Sequence, residues 1–320
     1  MTLYSPMKGN FSMKVYRLLP IAAIALGACS GDSTSALVKP DPHAAIRWMN
    51  AVPDTMPLDY RIVDIVTNAS AASIAYRGTS GQYQQLMPGS HRIRVFLAGT
   101  TTAGNGPSIV TTVVLDTTVA FAANHYYTIL HTGYMKAGAS PHHKLIVLDD
   151  VFPAPAAGNV AFRAINANPM AVDVYANVAS ATGGSVTGTP LFSNIASGAV
   201  GPYTSVATAT APDTSTYRIT ATPTGATATL MGDALAPLGA ARIDSSATSA
   251  AFSPVAGAKQ DGSVLTFVAT PPALAYTMTA SGTNSNAAGK LLPVTPSGTL
   301  AAPAIVSLLD KNPKDKLLGQ

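Results

Sequence analysis

The feature that most restricts what this chain can fold into is an internal repeat. "AAIRWMNAVPDTMPLDY" (44–60) is matched by "NVAFRAINANPMAVDVY" (159–175). Both carry Arg-x-x-Asn-Ala, a Pro, an apolar residue followed by Asp, and a Tyr. The matched positions are Arg47 with Arg163, Asn50 with Asn166, Asp59 with Asp173, and Tyr60 with Tyr175. Later blocks recur in the same order. "HRIRVFLAG" (91–99) parallels "YRITATPTG" (217–225), pairing Arg92 with Arg218, and "HKLIVLDDVFP" (143–153) parallels "AIVSLLDKNP" (304–313), pairing Asp149 with Asp310. Blocks that repeat in order indicate a tandem duplication, so the two units should share one fold.

That fold reads as β. "RIRVFLA", "SIVTTVVLDTTVAF" and "YYTIL" are rich in β-branched and aromatic residues, and "MPGSH" and "TPTGA" are turn signals. The chain of 320 residues contains no Glu, its 15 acidic residues all being Asp. Glu supports helix interiors, whereas Asp belongs to caps and turns. The Ala-rich "DALAPLGAARID" (233–244) is interrupted by Pro237 and Gly239 and allows at most a turn of helix. The expectation is an all-β chain with two tandem β-sandwich domains of immunoglobulin-like or transthyretin-like type. The divisions are 44–153 for the first repeat, 154–158 for a hinge, 159–313 for the longer second repeat and 314–320 for a tail.

The N-terminal region is of a different kind. Lys14 and Arg17 precede the apolar run "LLPIAAIALGA" (18–28), the outline of a secretory signal and too short to span a membrane as a helix. The run ends at Cys29, the only cysteine. "LGAC" (26–29) resembles the lipobox of bacterial lipoproteins. The resemblance implies cleavage between Ala28 and Cys29 and acylation of Cys29. Ser30, in place of an Asp, implies the outer membrane as the address, facing either the periplasm or the outside. More than one acyl chain is needed for a stable anchor, and a diacylated Cys29 meets that need. Residues 1–28 are thus expected to be a lipoprotein signal and 29–43, with Pro40 and Pro42, a flexible lipidated tether.

The repeat motifs resemble a bacterial family, the DUF4397 domain, which has no assigned function. Its hallmarks are the Arg-x-x-Asn-Ala strand, the Pro and Asp-Tyr strand that follow, and later segments fitted here by "YQQLMPGSHRIRV" (83–95) and "HYYTILHTG" (125–133). The likeness covers most of 44–153, is clear over 159–175, and thins beyond, where 203–219 lacks the Pro-Gly. It implies a secreted or lipid-anchored protein, often with the domain in tandem, and no activity.

Motifs for chemistry are weak. There is no Gly-x-Ser-x-Gly, P-loop or dinucleotide-binding glycine pattern. Three of the 19 basic residues, Lys8, Lys14 and Arg17, precede Cys29 and no acidic residue does, so the remainder is nearly neutral and offers no electrostatic case for nucleic acid. No cofactor or metal is called for. The six histidines lie in or just before the first repeat; His125 and His131 could share a strand face, whereas the adjacent His142 and His143 should diverge. Asp149 and Asp150 are too close together to flank one scissile bond. Trp48 could stack on sugar or fill a core. "AYRGTSGQY" (75–83) is the best candidate for a surface contact. The repeat markers Arg47, Asn50, Asp59, Arg92, Arg163, Asn166, Asp173 and Arg218 are expected to be structural, with Arg47 or Arg92 pairing Asp59 across a sheet. The reading is a non-enzymatic cell-envelope lipoprotein, bound to the membrane by its lipid and offering sandwich surfaces to an envelope protein or glycan. The alternatives are a carbohydrate-binding or adhesion module and an Asp-dependent envelope hydrolase.

Overall fold

The structure is a computed structural model. It describes residues 41–320 apart from 68, 99–112, 137, 184–185, 210–214, 229, 241–253, 275–300, 314–316 and 319–320. Cys29, Ala28 and the whole signal and tether through residue 40 lie outside the described residues.

Every regular element among the described residues is a strand. In the first half, β1 (Ala44–Ala51), β4 (Gln84–Leu86), β7 (Tyr126–Thr132) and β8 (Lys144–Asp149) form a sheet in the order β4-β1-β7-β8. Facing it is a second sheet, β3-β2-β5-β6, made of β2 (Leu58–Ile62), β3 (Ala71–Ile74), β5 (Gly89–Leu97) and β6 (Val113–Phe121). The second half repeats the plan. Its sheets are β12-β9-β15-β16 and β11-β10-β13-β14. The strands of the first are β9 (Asn159–Asn166), β12 (Thr204–Ala207), β15 (Val264–Thr270) and β16 (Ala304–Lys311). Those of the second are β10 (Val172–Ala179), β11 (Phe192–Ile195), β13 (Thr216–Pro223) and β14 (Gly232–Leu235). Both halves place one parallel pair, β1 with β7 and β9 with β15, inside otherwise antiparallel sheets. The segment 233–244 opens on strand β14 rather than a helical turn, because Asp233 and Ala234 complete the ladder to β13.

Burial explains the layering. In β5 the burial alternates, as expected of an outer sheet with one wet face. In β1, β9 and β15 burial is nearly continuous. Ala44, Ile46 and Trp48 enter the first sandwich core with Leu58, Tyr60 and Ile93. The intervening Met49 and Ala51 pack instead with Leu130, Ile165, Ala167, Val268 and Leu308, residues drawn from both halves. The sheets carrying β1 and β9 therefore pack face to face, giving four layers, and residues 42–320 form one compact unit. Residues 154–158 join sandwiches that are already in contact.

Trp48 is fully buried, on the same face as Ile46, stacked on Tyr60 at 5.2 Å and donating to Ala69 O. It is a core residue and has no face open to a sugar.

Candidate functional site

A closed cluster of buried polar side chains lies between the two inner sheets. Arg47 projects from β1 toward the other half, where its Nη2 pairs with Asp310 and its Nη1 donates to Leu309 O at 3.0 Å. Its Nε donates to Thr128 Oγ1 at 2.8 Å, and Thr128 in turn donates to Asp150 Oδ2 at 2.5 Å. Asp150 Oδ1 stands 2.7 Å from Arg163 Nη2, an ion pair by distance whose approach lies off the line of a hydrogen bond. Arg163 Nε donates to Thr266 Oγ1 at 2.9 Å, and Thr266 donates to Asp310 Oδ2 at 2.5 Å. The ring closes: Arg47, Thr128, Asp150, Arg163, Thr266, Asp310 and back to Arg47. Each repeat supplies one Arg, one Thr and one Asp, and each Arg meets the carboxylate of the other repeat.

Two tyrosines cover the ring. The Arg47 guanidinium lies 4.5 Å from the centroid of Tyr83, whose hydroxyl donates to Asp150 at 2.8 Å. The Arg163 guanidinium lies 4.5 Å over Tyr203, whose hydroxyl donates to Asp310 at 2.9 Å. Stacking on an aromatic face and forked donation are what guanidinium does and ammonium does not. Burial works against the charge on Arg47, but the facing carboxylate of Asp310, with Asp150 behind it, outweighs that and holds the group more firmly protonated than usual. Arg163 is raised likewise, against its burial, chiefly by Asp150. Burial pushes the phenols of Tyr83 and Tyr203 upward, so both remain hydrogen-bond donors. Two cations and two anions make the ring neutral, which is what permits four ionic groups in an interior.

The other repeat markers hold local structure. Asn50 accepts from Val52 N and donates to Ile74 O, while Asn166 accepts from Asn168 N and donates to Ile195 O and Met170 O. Each Asn thus closes a turn and ties the inner sheet to the edge strand of the outer one. Asp59 accepts from Ser73 N and Asp173 from Asn194 N, both at 2.7 Å. Ser73 and Asn194 have φ of 54° and 51°, so each Asp secures a left-handed residue at the irregular pairing of β2 with β3 or β10 with β11. Arg92 pairs with Asp116, and Arg218 with Asp233, across the outer ladders.

Several expectations are corrected. Arg47 and Arg92 do not pair with Asp59, whose ion-pair partner is Arg61 at 2.7 Å. Tyr60 enters the first core, whereas Tyr175 lies one position further along and occupies the opposite face; Val174 fills the core place. The counterpart of Asp310 is Asp150, since Thr128 opposes Leu148 as Thr266 opposes Leu308. Asp149 is exposed and pairs with His125. His125, just before β7, stays apart from the buried His131. His142 and His143 do not diverge, because they precede β8 and their rings come to 4.5 Å. His131 instead meets His143, with Nε2 and Nδ1 3.0 Å apart, and the Tyr60 hydroxyl lies at its other nitrogen. Burial, reinforced by His143, lowers the His131 pKa to about 3. Among the described residues no group of three or more His, Cys or Asp is placed to hold a metal ion.

The loop 75–83 is engaged by the second repeat. The Tyr76 hydroxyl donates to Pro271 O, and Arg77 donates to Thr270 Oγ1, Pro271 O and Ala302 O. A cleft of about 270 Å³ beside the ring is lined by Tyr83, Tyr126, Phe152, Lys311 and Asn312, among others.

A domain of unknown function, DUF4397, is found at residues 44–175. The DUF4397 match takes in the whole first sandwich, then β9 and the first half of β10, so both ring arginines fall inside it. Asp310 and Thr266 fall outside it. No curated protein matches the chain.

Proposed function

We propose that this protein is a cell-envelope lipoprotein, anchored through Cys29, whose paired sandwiches act as one rigid, non-enzymatic module for binding or envelope structure. Residues 159–313 are, in this reading, a second and divergent DUF4397 domain. The repeated strand order and the paired roles of Arg47 and Arg163, Asn50 and Asn166, and Asp59 and Asp173 support it. The observation that carries the non-enzymatic reading is the closed ring. The Arg, Thr and Asp side chains of the ring pair with one another, and its two buried carboxylates, Asp150 and Asp310, each meet an arginine, a threonine and a tyrosine.

The lipobox-like "LGAC" supports the anchor. Intact mass of the protein purified from its native membrane, compared with Cys29→Ala, tests it. Acylation at an N-terminal Cys29 that disappears in the variant is the expected result, and an unmodified, soluble wild type would overturn the reading. Glycan binding is the second reading, favoured by the aromatic lining of the cleft at Tyr83, Tyr126 and Phe152. A glycan array on wild type and Tyr126→Ala separates the two: a signal lost in the variant would establish it.

A further inference from the structure

The strand registers define two ends of the molecule. The described chain enters β1 at Ala44. β4 runs back to this end, with Leu86 opposite Ala44, and β5 starts from it. Because β2 and β6 are antiparallel to β5, both finish there, at Ile62 and Phe121. β7 is parallel to β1 and begins there, so β8 ends there at Asp149. The ring sits near this same end of both halves, since Arg163 meets Asp150 and Arg47 meets Asp310. In the second half β10 and β14 therefore also finish there, opposite the start of β13.

Exposed apolar side chains gather at this end. In the first sandwich they include Val66, fully exposed, with Met87 at 68% and Val151 at 73%. In the second they are Val178 at 59%, Leu238 and Val255. Among the described residues, only Val113 and Met170 of the exposed large apolar side chains lie at the opposite end. Scattered exposed valines need no explanation, but a one-sided distribution toward one end of the strands does. Among the described residues, three carboxylates at this tip are bonded: Asp64 to His91, Asp149 to His125, and Asp261 to Asn159 N. That lessens the cost of bringing the tip against a less polar medium.

We infer that this tip is a membrane-contacting surface and that its partner is the lipid bilayer in which the N-terminal anchor sits. The inference rests on the lipoprotein reading. The chain segment leading to Cys29 departs from this tip, which places the tip on the anchored side. Residues 29–43 could extend about 50 Å, so the lipid alone does not press the tip to the bilayer. The apolar side chains supply that preference. Tethering makes a weak contact effective, because the second binding event is intramolecular.

The chain carries its own probes. Met87 lies at the tip and Met170, 49% exposed, at the far end. Lipidated protein is placed on vesicles of phosphatidylethanolamine and phosphatidylglycerol, treated with dilute peroxide, and its methionine sulfoxides are mapped by mass. Relative to the soluble Cys29→Ala protein, oxidation of Met87 should slow by a factor of about three or more, while Met170 keeps its rate. Val66→Asp with Val151→Asp, both at exposed positions, should restore the rate at Met87. Unchanged oxidation of Met87 in protein shown by intact mass to be acylated overturns the contact and leaves the anchor standing, whereas unacylated protein overturns the anchor. Protection of Met87 in native membranes but not on protein-free vesicles overturns the bilayer as partner and assigns a protein.

Discussion

Removing one carboxylate from the ring should cost far more than removing a whole ion pair. In Asp310→Ala, Arg47 loses its charged partner while staying 1% exposed, with only Thr128 Oγ1 and Leu309 O left to accept from it. Thr266 and Tyr203 lose their acceptor as well. A buried charge stripped of its partner costs about 3–5 kcal/mol. Arg47→Met keeps an unbranched apolar stem but removes the guanidinium and its contact with Tyr83, and leaves Asp310 with two neutral donors, so a cost of about the same size is expected. The double variant buries neither charge unpaired. Its cost should fall short of the sum of the singles by about 2–3 kcal/mol. Trp48 provides the assay, being the only tryptophan and fully buried one residue from Arg47, so its fluorescence follows urea unfolding directly. Additive costs, or single costs below about 1 kcal/mol as for surface pairs, would refute the claim that the ring is a coupled buried unit.

The histidines of the first repeat link stability to acid. His131 is neutral in the fold with a pKa near 3 against 6.5 when free, so its contribution is complete above about pH 6.5 and is lost as pH falls toward 3. By pH 5 that loss amounts to about 2 kcal/mol, and His131→Asn should flatten the pH dependence of the urea-unfolding free energy by that amount; parallel slopes would contradict it. Gly133 has φ of +91°, and a Cβ there would lie 2.6 Å from His142 O, so Gly133→Ala should lower stability by about 2 kcal/mol or more, read from the same unfolding curve. Arg77→Ala removes three hydrogen bonds between the repeats and should cost about 1–3 kcal/mol, with proteolysis between the sandwiches accelerated.

The β character and the paired motifs of the two halves are legible in the amino-acid string. Period-two alternation, turn residues at "MPGSH" and "TPTGA", and the absence of Glu all bear on local backbone choice, and local choice is legible in a string. The pairing of Arg92 with Arg218 was legible for the same reason, since both sit at one register position of equivalent strands. The partners of the arginines follow from packing between the halves. Alternation says that Arg47 and Trp48 face opposite ways, but not that a second sheet covers the Arg47 side. Its partner Asp310 is 263 residues away and belongs to the other repeat. Within one unit, Asp59 is the nearest carboxylate on a strand to Arg47 in sequence, and the true partner lies outside that unit. Likewise, adjacency in the string does not tell Asp149 from Asp150, nor does it show that the second repeat covers the loop at 75–83. A pattern along one chain segment records which faces are apolar, whereas the neighbour that buries a face is chosen by packing between segments far apart in sequence.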